Sequence, residues 1–301
     1  MTSYRFCRPD DIPLLVGAVE ACWRVHAPGE PPVTVEGFRR EMKELDVWPS
    51  NSMVALDTAG DPIAVLVGTK RPEAVLVHRL GVRPDHRRQG HGLHLLTSLS
   101  QKLAVLGPDR LLAEVPAERP DLLAFFAAAG YRADVALADW WREAPEAGAG
   151  PAAPEGLVTE VSVAELDATG VLADPEPCAW CRSRSSLLGA GERLRAAALA
   201  PGERVEAWAV WEEPAPGDPE PNAAAAPDGA PPPARVLRAG TAAEQGALLF
   251  PLLMSWLARR TGSALLLPRL AEGEVPARDL AAAGFGRGGG FERMAATARP
   301  L

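Results

Sequence analysis

The sequence predicts a mixed α/β protein, an α+β sheet flanked by helices and laid down twice along the chain. Three observations predict it. Residues 77–96, "VHRLGVRPDHRRQGHGLHLL", pass from a β-branched apolar run through Pro84 and a cluster of bases into helical spacing at Leu93, Leu96, Leu99 and Leu103, which reads as strand, loop, helix. The segment before it, "SMVALDTAGDPIAVLVGTK", is an antiparallel hairpin by its own turn residues. Finally, Gly92 and Gly130 are 38 residues apart, and so are Gly246 and Gly284. The words around them correspond: "LHLLTSL" answers "ALLFPLL", "RLLAEV" answers "ALLLPR" and "AAAGY" answers "AAAGF". Repetition at that scale implies duplication of one supersecondary unit.

Taken in order, "YRFCRPDDIPLLVGAVEACWRV" is a short strand, a turn at Pro9 and Asp10, and a helix with Ile12, Leu15, Val16, Val19 and Trp23 on its apolar face. Asp10 or Asp11 is placed to cap it, with Pro13 in the first turn. A proline-rich loop, "HAPGEPP", leads to a second helix through Phe38, Met42 and Leu45. The hairpin turns at Ala59-Gly60-Asp61-Pro62, and a strand over residues 74–82 then feeds the glycine loop. "RLLAEV" is a further strand, "PDLLAFFAAAG" a helix ended by Gly130, and "YRADVALADWW" the strand expected to close the first half.

The Pro/Ala/Gly-rich residues 145–156 read as a linker, dividing a first domain at 1–144 from a second at 157–298. "LVTEVSVAELDATGVL" repeats the opening strand and helix. Residues 212–234 cannot form a core by composition and are expected to be disordered. "FGRGGGF" near the end reads as a hairpin turn, since no helix follows to make it a phosphate cradle.

A length of 301 residues with 47% hydrophobic residues suits two packed domains. The formal net charge of -8 argues against a nucleic-acid surface as the main business. Cys7, Cys22, Cys178 and Cys181 are too few and uneven for a disulfide scaffold. The lone CxxC at 178–181 lacks a second pair for zinc, leaving ordinary thiols or a redox pair. The N-terminus carries no secretory pattern, and the apolar helix at 247–258 is too short to cross a bilayer, so a cytoplasmic protein without a membrane partner is expected.

A strand–loop–helix turn with glycines at 90 and 92 presents unpaired N–H groups at the positive end of a helix. Its expected guest is a phosphate or pyrophosphate, with Arg87 and Arg88 adding charge at the rim. The loop is not a GxGxxG fingerprint, because Leu95 stands three residues after Gly92, and it lacks the Gly-Lys-Ser/Thr of a P-loop.

The run Arg87, Arg88, Gln89, Gly90, His91, Gly92, preceded by Val82, Arg83, Pro84, resembles the acyl-CoA-binding motif of the GCN5-related N-acetyltransferase (GNAT) superfamily. Glu114, Val115, Gly130 and Tyr131 fit a second signature of that family, and the element order of residues 3–143 matches its fold. The resemblance implies an N-terminal acetyltransferase domain followed by a degenerate copy, tandem arrangement being known in the superfamily. It also implies acetyl-CoA as co-substrate, held by Leu80, Gly81 and Val82 and by the loop from Arg87 to Leu93. Arg119 and Phe126 stand at the family's further cofactor-contacting positions, where an Asn and a proton-donating Tyr are common. Phe cannot protonate a departing thiolate.

Acetyl transfer requires a neutral amine, so a base or a water chain must take a proton from the ammonium. An amide of residues 80–82 would polarise the thioester carbonyl. The position of the family's usual strand carboxylate is Leu76. His78, two residues on, is either the base or a packed strand histidine, and Glu114 is either a second candidate or a partner of Arg79. His86 and His91 are expected at the loop rim, His91 within reach of the pyrophosphate. The loop over residues 26–32 is a candidate for acceptor contact. In the second half Thr241, Ala242 and Glu244 stand, by ungapped spacing, where Arg87, Arg88 and Gly90 do, so no CoA is expected there.

These readings imply an N-acetyltransferase acting on a small-molecule amine, or on a peptide N-terminus, as a monomer or homodimer. A non-catalytic acyl-CoA-binding or regulatory module is the alternative. A nucleotide-phosphate enzyme using the same loop is a third.

Overall fold

The computed structural model describes residues 2–27, 32–145, 157–202, 204–213, 232–242 and 246–300. Most of the linker, of the 212–234 insertion and of the proline-rich loop, together with Glu244, lies outside the described residues.

The chain runs through one ten-element order twice. The first pass is β1 (Ser3–Phe6), α1 (Ile12–Cys22), α2 (Val35–Glu44), β2 (Met53–Leu56), β3 (Pro62–Lys70), β4 (Val75–Val82), α3 (His91–Leu106), β5 (Arg110–Pro116), α4 (Pro120–Ala128) and β6 (Arg132–Arg142). The second is β7 (Val158–Val161), α5 (Val163–Ala168), α6 (Arg184–Ala190), β8 (Leu194–Leu199), β9 (Ala207–Glu212), β10 (Ala234–Thr241), α7 (Gly246–Thr261), β11 (Leu265–Ala271), α8 (Ala277–Ala282) and β12 (Gly286–Thr297). Each is the α+β order expected for the GNAT fold.

The chain divides into two compact units, the first made of Met1–Asp134 with Glu292–Leu301 and the second of most of the chain between them. In the first unit the strand order is β1-β2-β3-β4-β5 and then β12. The ladders are antiparallel from β1 to β4 and parallel between β4 and β5. Ala298 N donates to Asp109 O at 2.6 Å, and Asp134 accepts from both Arg293 and Arg110, which fixes the chain's end beside β5. Sheet faces are covered on one side by α3 and α4, through Val75, Leu99, Leu111 and Phe126. On the other side α1 and α2 pack through Leu15, Val19 and Phe38 against Val54, Val65 and Val67. Burial on both faces explains the near-continuous apolar run of β3.

In the second unit β7-β8-β9-β10-β11 repeats that ladder, and the strand beside β11 is β6. The segment expected to close the first half's sheet therefore pairs instead with β11, Trp141 facing Leu266 and Leu137 facing Ala271. Nor is "FGRGGGF" a turn: its glycines lie in β12. A Cβ at Gly288 would come within 3.3 Å of Asp139 O, so bare backbone lets the two strands approach. Among the described residues no helix is long and apolar enough to cross a membrane.

Candidate active site

The glycine loop is the turn that the spacing predicted. Gly90 has φ +85° and caps α3 with no side-chain cap, so nothing from a side chain occupies the first N–H groups of that helix. Arg88 also has positive φ, +62°, a conformation a non-glycine residue adopts at a cost, and alternation of this kind curves backbone N–H groups into an anion-binding concavity. A Cβ on Gly90 would meet nothing within 4 Å, whereas one on Gly92 would press on Phe125 at 3.3 Å and Val82 at 3.6 Å. Gly90 thus leaves room outside; Gly92 serves the seating of α3. Leu93 is exposed rather than on the apolar face of α3, which is formed by Leu95, Leu96, Leu99 and Leu103.

One loop residue differs from its expected place. His91 is not at the rim: it is buried, its Nδ1 2.6 Å from the Tyr4 hydroxyl, so it ties β1 to the start of α3. Arg87 is exposed, and its Nη2 donates to His26 Nδ1 at 2.7 Å. The His26 Nε2–H donates in turn to Val82 O at 3.0 Å. Desolvation and the Arg87 charge both push the His26 pKa down, as suits a neutral ring of that tautomer.

Beside the loop the sheet opens. β4 and β5 pair only at Val75↔Leu111 and Leu76↔Leu112, while β4 keeps its ladder with β3 as far as Val82. On its β5 side, the backbone of β4 beyond Leu76 therefore leaves the ladder, and Val82 near its end lies 3.6 Å from where a Cβ on Gly92 would stand at the start of α3. Gly81 has a separate duty, because a Cβ there would drive into the backbone of Cys22 at the end of α1.

A β-bulge stands at the mouth of this opening. The β3–β4 register shifts between Val67↔Arg79 and Gly68↔Val77, leaving His78 as the extra residue. Val75, Val77, Leu80 and Val82 pack toward α3, so the bulge turns both His78 and Arg79 toward α2. There they meet Glu41. Arg79 Nη1 and Nη2 donate to the two Glu41 oxygens at 2.5 and 2.9 Å, and His78 Nε2 lies 3.8 Å from Oε2. Burial works to raise the Glu41 pKa, but His78 and Arg79 together outweigh it and hold the carboxyl down at about 2. Glu114 lies two residues past Leu112, as His78 lies two past Leu76, and Leu111, Ala113 and Val115 occupy the opposite face. By register His78 and Glu114 thus flank the opening on one face.

Of the remaining two predicted contacts, one is exposed and one is buried. Arg119 is exposed at the start of α4 and pairs with Asp121 at 2.8 Å. Phe126 is inside the core, edge-on to Phe125 and Tyr131 at 5.4 and 5.2 Å between ring centres. Glu41 was not foreseen from the sequence, nor was the link from His26, the first residue of the candidate acceptor loop, to Val82 and Arg87. For Glu41 a signal existed: it sits three residues after the buried Phe38, on the inward face of α2. His26 carried none, since its partners lie 56 and 61 residues away.

The second unit repeats the architecture without the chemistry. β10 and β11 pair only at Ala234↔Leu265 and Arg235↔Leu266, and β10 bulges at Leu237. Leu237 stands where His78 does, and Pro268 where Glu114 does. The opening is bridged: Arg182, fully buried, donates from Nη1 to Val236 O and Pro268 O, both at 3.2 Å, with Glu274 as its counter-ion at 2.6 Å. Thr241 is still part of β10, so the ungapped match to Arg87 fails because the second strand-to-helix link is shorter. Burial pushes the Cys178 thiol up to about 12, beside Arg238, which makes it a neutral packed thiol rather than a nucleophile. Among the described residues no cluster of histidine, cysteine and carboxylate could hold a metal.

Residues 20–131 match the family model described as Acetyltransferase (GNAT) family. No curated protein matches the chain. Among solved structures, a GCN5-related N-acetyltransferase from Sphaerobacter thermophilus superposes with a TM-score of 0.62 at 16% identity, over 99% of this chain and 96% of that one. A tandem GNAT protein from the clavulanic acid biosynthesis pathway gives 0.67 at 17% identity over the whole of both chains. A glucosamine N-acetyltransferase region of a fungal multi-domain beta-N-acetylglucosaminidase gives 0.69 at 15%, over 98% of this chain and 38% of that one. At these identities the likeness is one of fold.

Proposed function

We propose that this chain, whose first unit carries an acetyltransferase domain of the GNAT family within a tandem GNAT fold, transfers an acetyl group from acetyl-CoA to a primary amine of a small molecule. One observation carries the reading: β4 parts from β5 directly beside an uncapped helix start approached through two positive-φ residues. The residues fit the carrier. Gly90 leaves space where any Cβ would stand, the N–H groups at the start of α3 suit a diphosphate, and Arg87 and Arg88 supply charge. Acetyl-CoA supplies a thioester, whose C–S bond breaks as the amine nitrogen takes the acyl carbon, and CoA leaves as a thiolate that takes its proton from water or from the acceptor nitrogen. An amide of Leu80, Gly81 or Val82 on the open side of β4 donates to the developing oxyanion. His78 accepts the proton of the acceptor ammonium, with Glu114 across the opening as the second polar group of the site. All four cysteines are thiols, which agrees with a cytoplasmic enzyme.

The test is binding followed by turnover. Calorimetry should give one acetyl-CoA bound per chain, and Gly90→Val should abolish it, because valine is disfavoured at φ +85° and its side chain fills the cradle. Thiol release on a panel of amines should then fall about 100-fold in kcat for His78→Ala, with little change in the acetyl-CoA KM. Absence of any binding heat sinks the reading. A second reading, a non-catalytic acyl-CoA-binding module, is favoured by Phe126, which leaves a ring without a hydroxyl at the family's proton-donor position. Binding without thiol release from any amine decides for it.

A further inference from the structure

We infer that Glu41 and Arg79 are a coupled pair of positioning residues that orient the His78 ring and set the pH range over which it accepts a proton. The inference rests on the acetyl-transfer reading for its purpose, but not for its geometry. The bulge in β4 places His78 and Arg79 on one face, and a single carboxylate from α2 serves both. Nε2 is the ring atom facing Glu41 and is shielded from solvent, so the anion favours the tautomer with its proton there and leaves Nδ1 as the lone pair. Arg79 acts in the opposite sense. It takes both carboxylate oxygens and limits how far Glu41 can stabilise a protonated ring.

The charged groups placed toward His78 by contact or by register are Glu41 of α2, Arg79 of β4 and Glu114 of β5. β3 presents Val67 and Gly68 at the bulge, and the nearby α1 end brings Cys22, whose thiol burial pushes up to about 11 and so keeps neutral. Glu41, which faces His78, and Arg79, which holds Glu41, therefore carry opposite charge, and removing one or the other should move the ring in opposite directions. Glu41→Gln removes the anion and leaves Arg79 uncompensated, which disfavours imidazolium. Arg79→Gln frees the carboxylate for His78 and favours it.

The experiment is an NMR titration of the histidine ring protons in the full chain, the His78 signal being assigned by its loss in His78→Gln, beside the pH profile of kcat/KM. Glu41→Gln should lower the His78 midpoint by about one pH unit and move the acidic limb of the profile with it. Arg79→Gln should raise both by a similar amount. The double variant, in which the charges cancel, should return the midpoint toward its original position and remains informative if one single variant does not fold. Shifts in the same direction, or none, overturn the inference. Opposite shifts in the titration with no thiol release from any amine would leave the pairing standing and remove the acetyltransferase reading instead.

Discussion

The Tyr131 hydroxyl is buried in the core beneath α4 and finds no hydrogen-bond partner among the described residues, and burial pushes its pKa well above the usual phenol range. An unpaired buried hydroxyl costs about 1–3 kcal/mol. Tyr131→Phe should therefore melt at the same temperature or higher and leave thiol release unchanged; loss of turnover would make that hydroxyl the missing proton donor. At this scale the sequence was legible where backbone chemistry decides. Gly90 could be placed because only a residue tolerant of φ +85° suits a helix start of this shape. It was illegible where a side chain chooses among distant partners. Period-two alternation puts His78 on the face of Leu76, but nothing local says that Glu41 will meet it, that His91 will turn inward to Tyr4, or that His26 will hold Arg87.

Strands and helices show the same division more sharply. All ten elements of the first pass follow from apolar period and turn residues, and the second pass repeats them. The bulge escapes such reasoning, because one inserted residue alters alternation only from Arg79 onward and a short strand offers too few positions to reveal it. The glycine run of β12 misleads because glycine signals turns, and here it allows close strand approach instead. In the second unit the corresponding bulge at Leu237 persists while Arg182 bridges the parted strands. Arg182→Met should destabilise the chain by about 3–5 kcal/mol, because Glu274 is left buried without its partner. Chemical denaturation measures that loss. Acetyl-CoA stoichiometry should stay at one per chain, and a second equivalent in the unaltered protein would refute the view that Arg182 fills this opening.

For the whole molecule, duplication was evident from the spacing of glycines, but the membership of the last strand of each pass was not. A strand's own alternation reads identically whichever neighbour it joins. β6 lies beside β11 and the end of β12 beside β5, so the division by sequence at residue 144 is not the division by contact. Removal of residues 287–301 should therefore cost the first unit its acetyl-CoA binding, although every motif residue is retained. Met294 and Ala298 leave its core, and the edge of β5 is stripped. Calorimetry on the shortened chain checks this, and undiminished binding would contradict the assignment of the terminal strand.

The Ala298 to Asp109 hydrogen bond also has a bearing on biosynthesis. A ribosome delivers the amino-terminal half first, yet the strand that finishes that half follows the whole second unit in sequence. Until that strand emerges, the nascent half waits with one ladder unzipped, an adhesive border of the kind that recruits holdase chaperones or neighbouring polysomal chains. Its maturation therefore waits on synthesis of the second half.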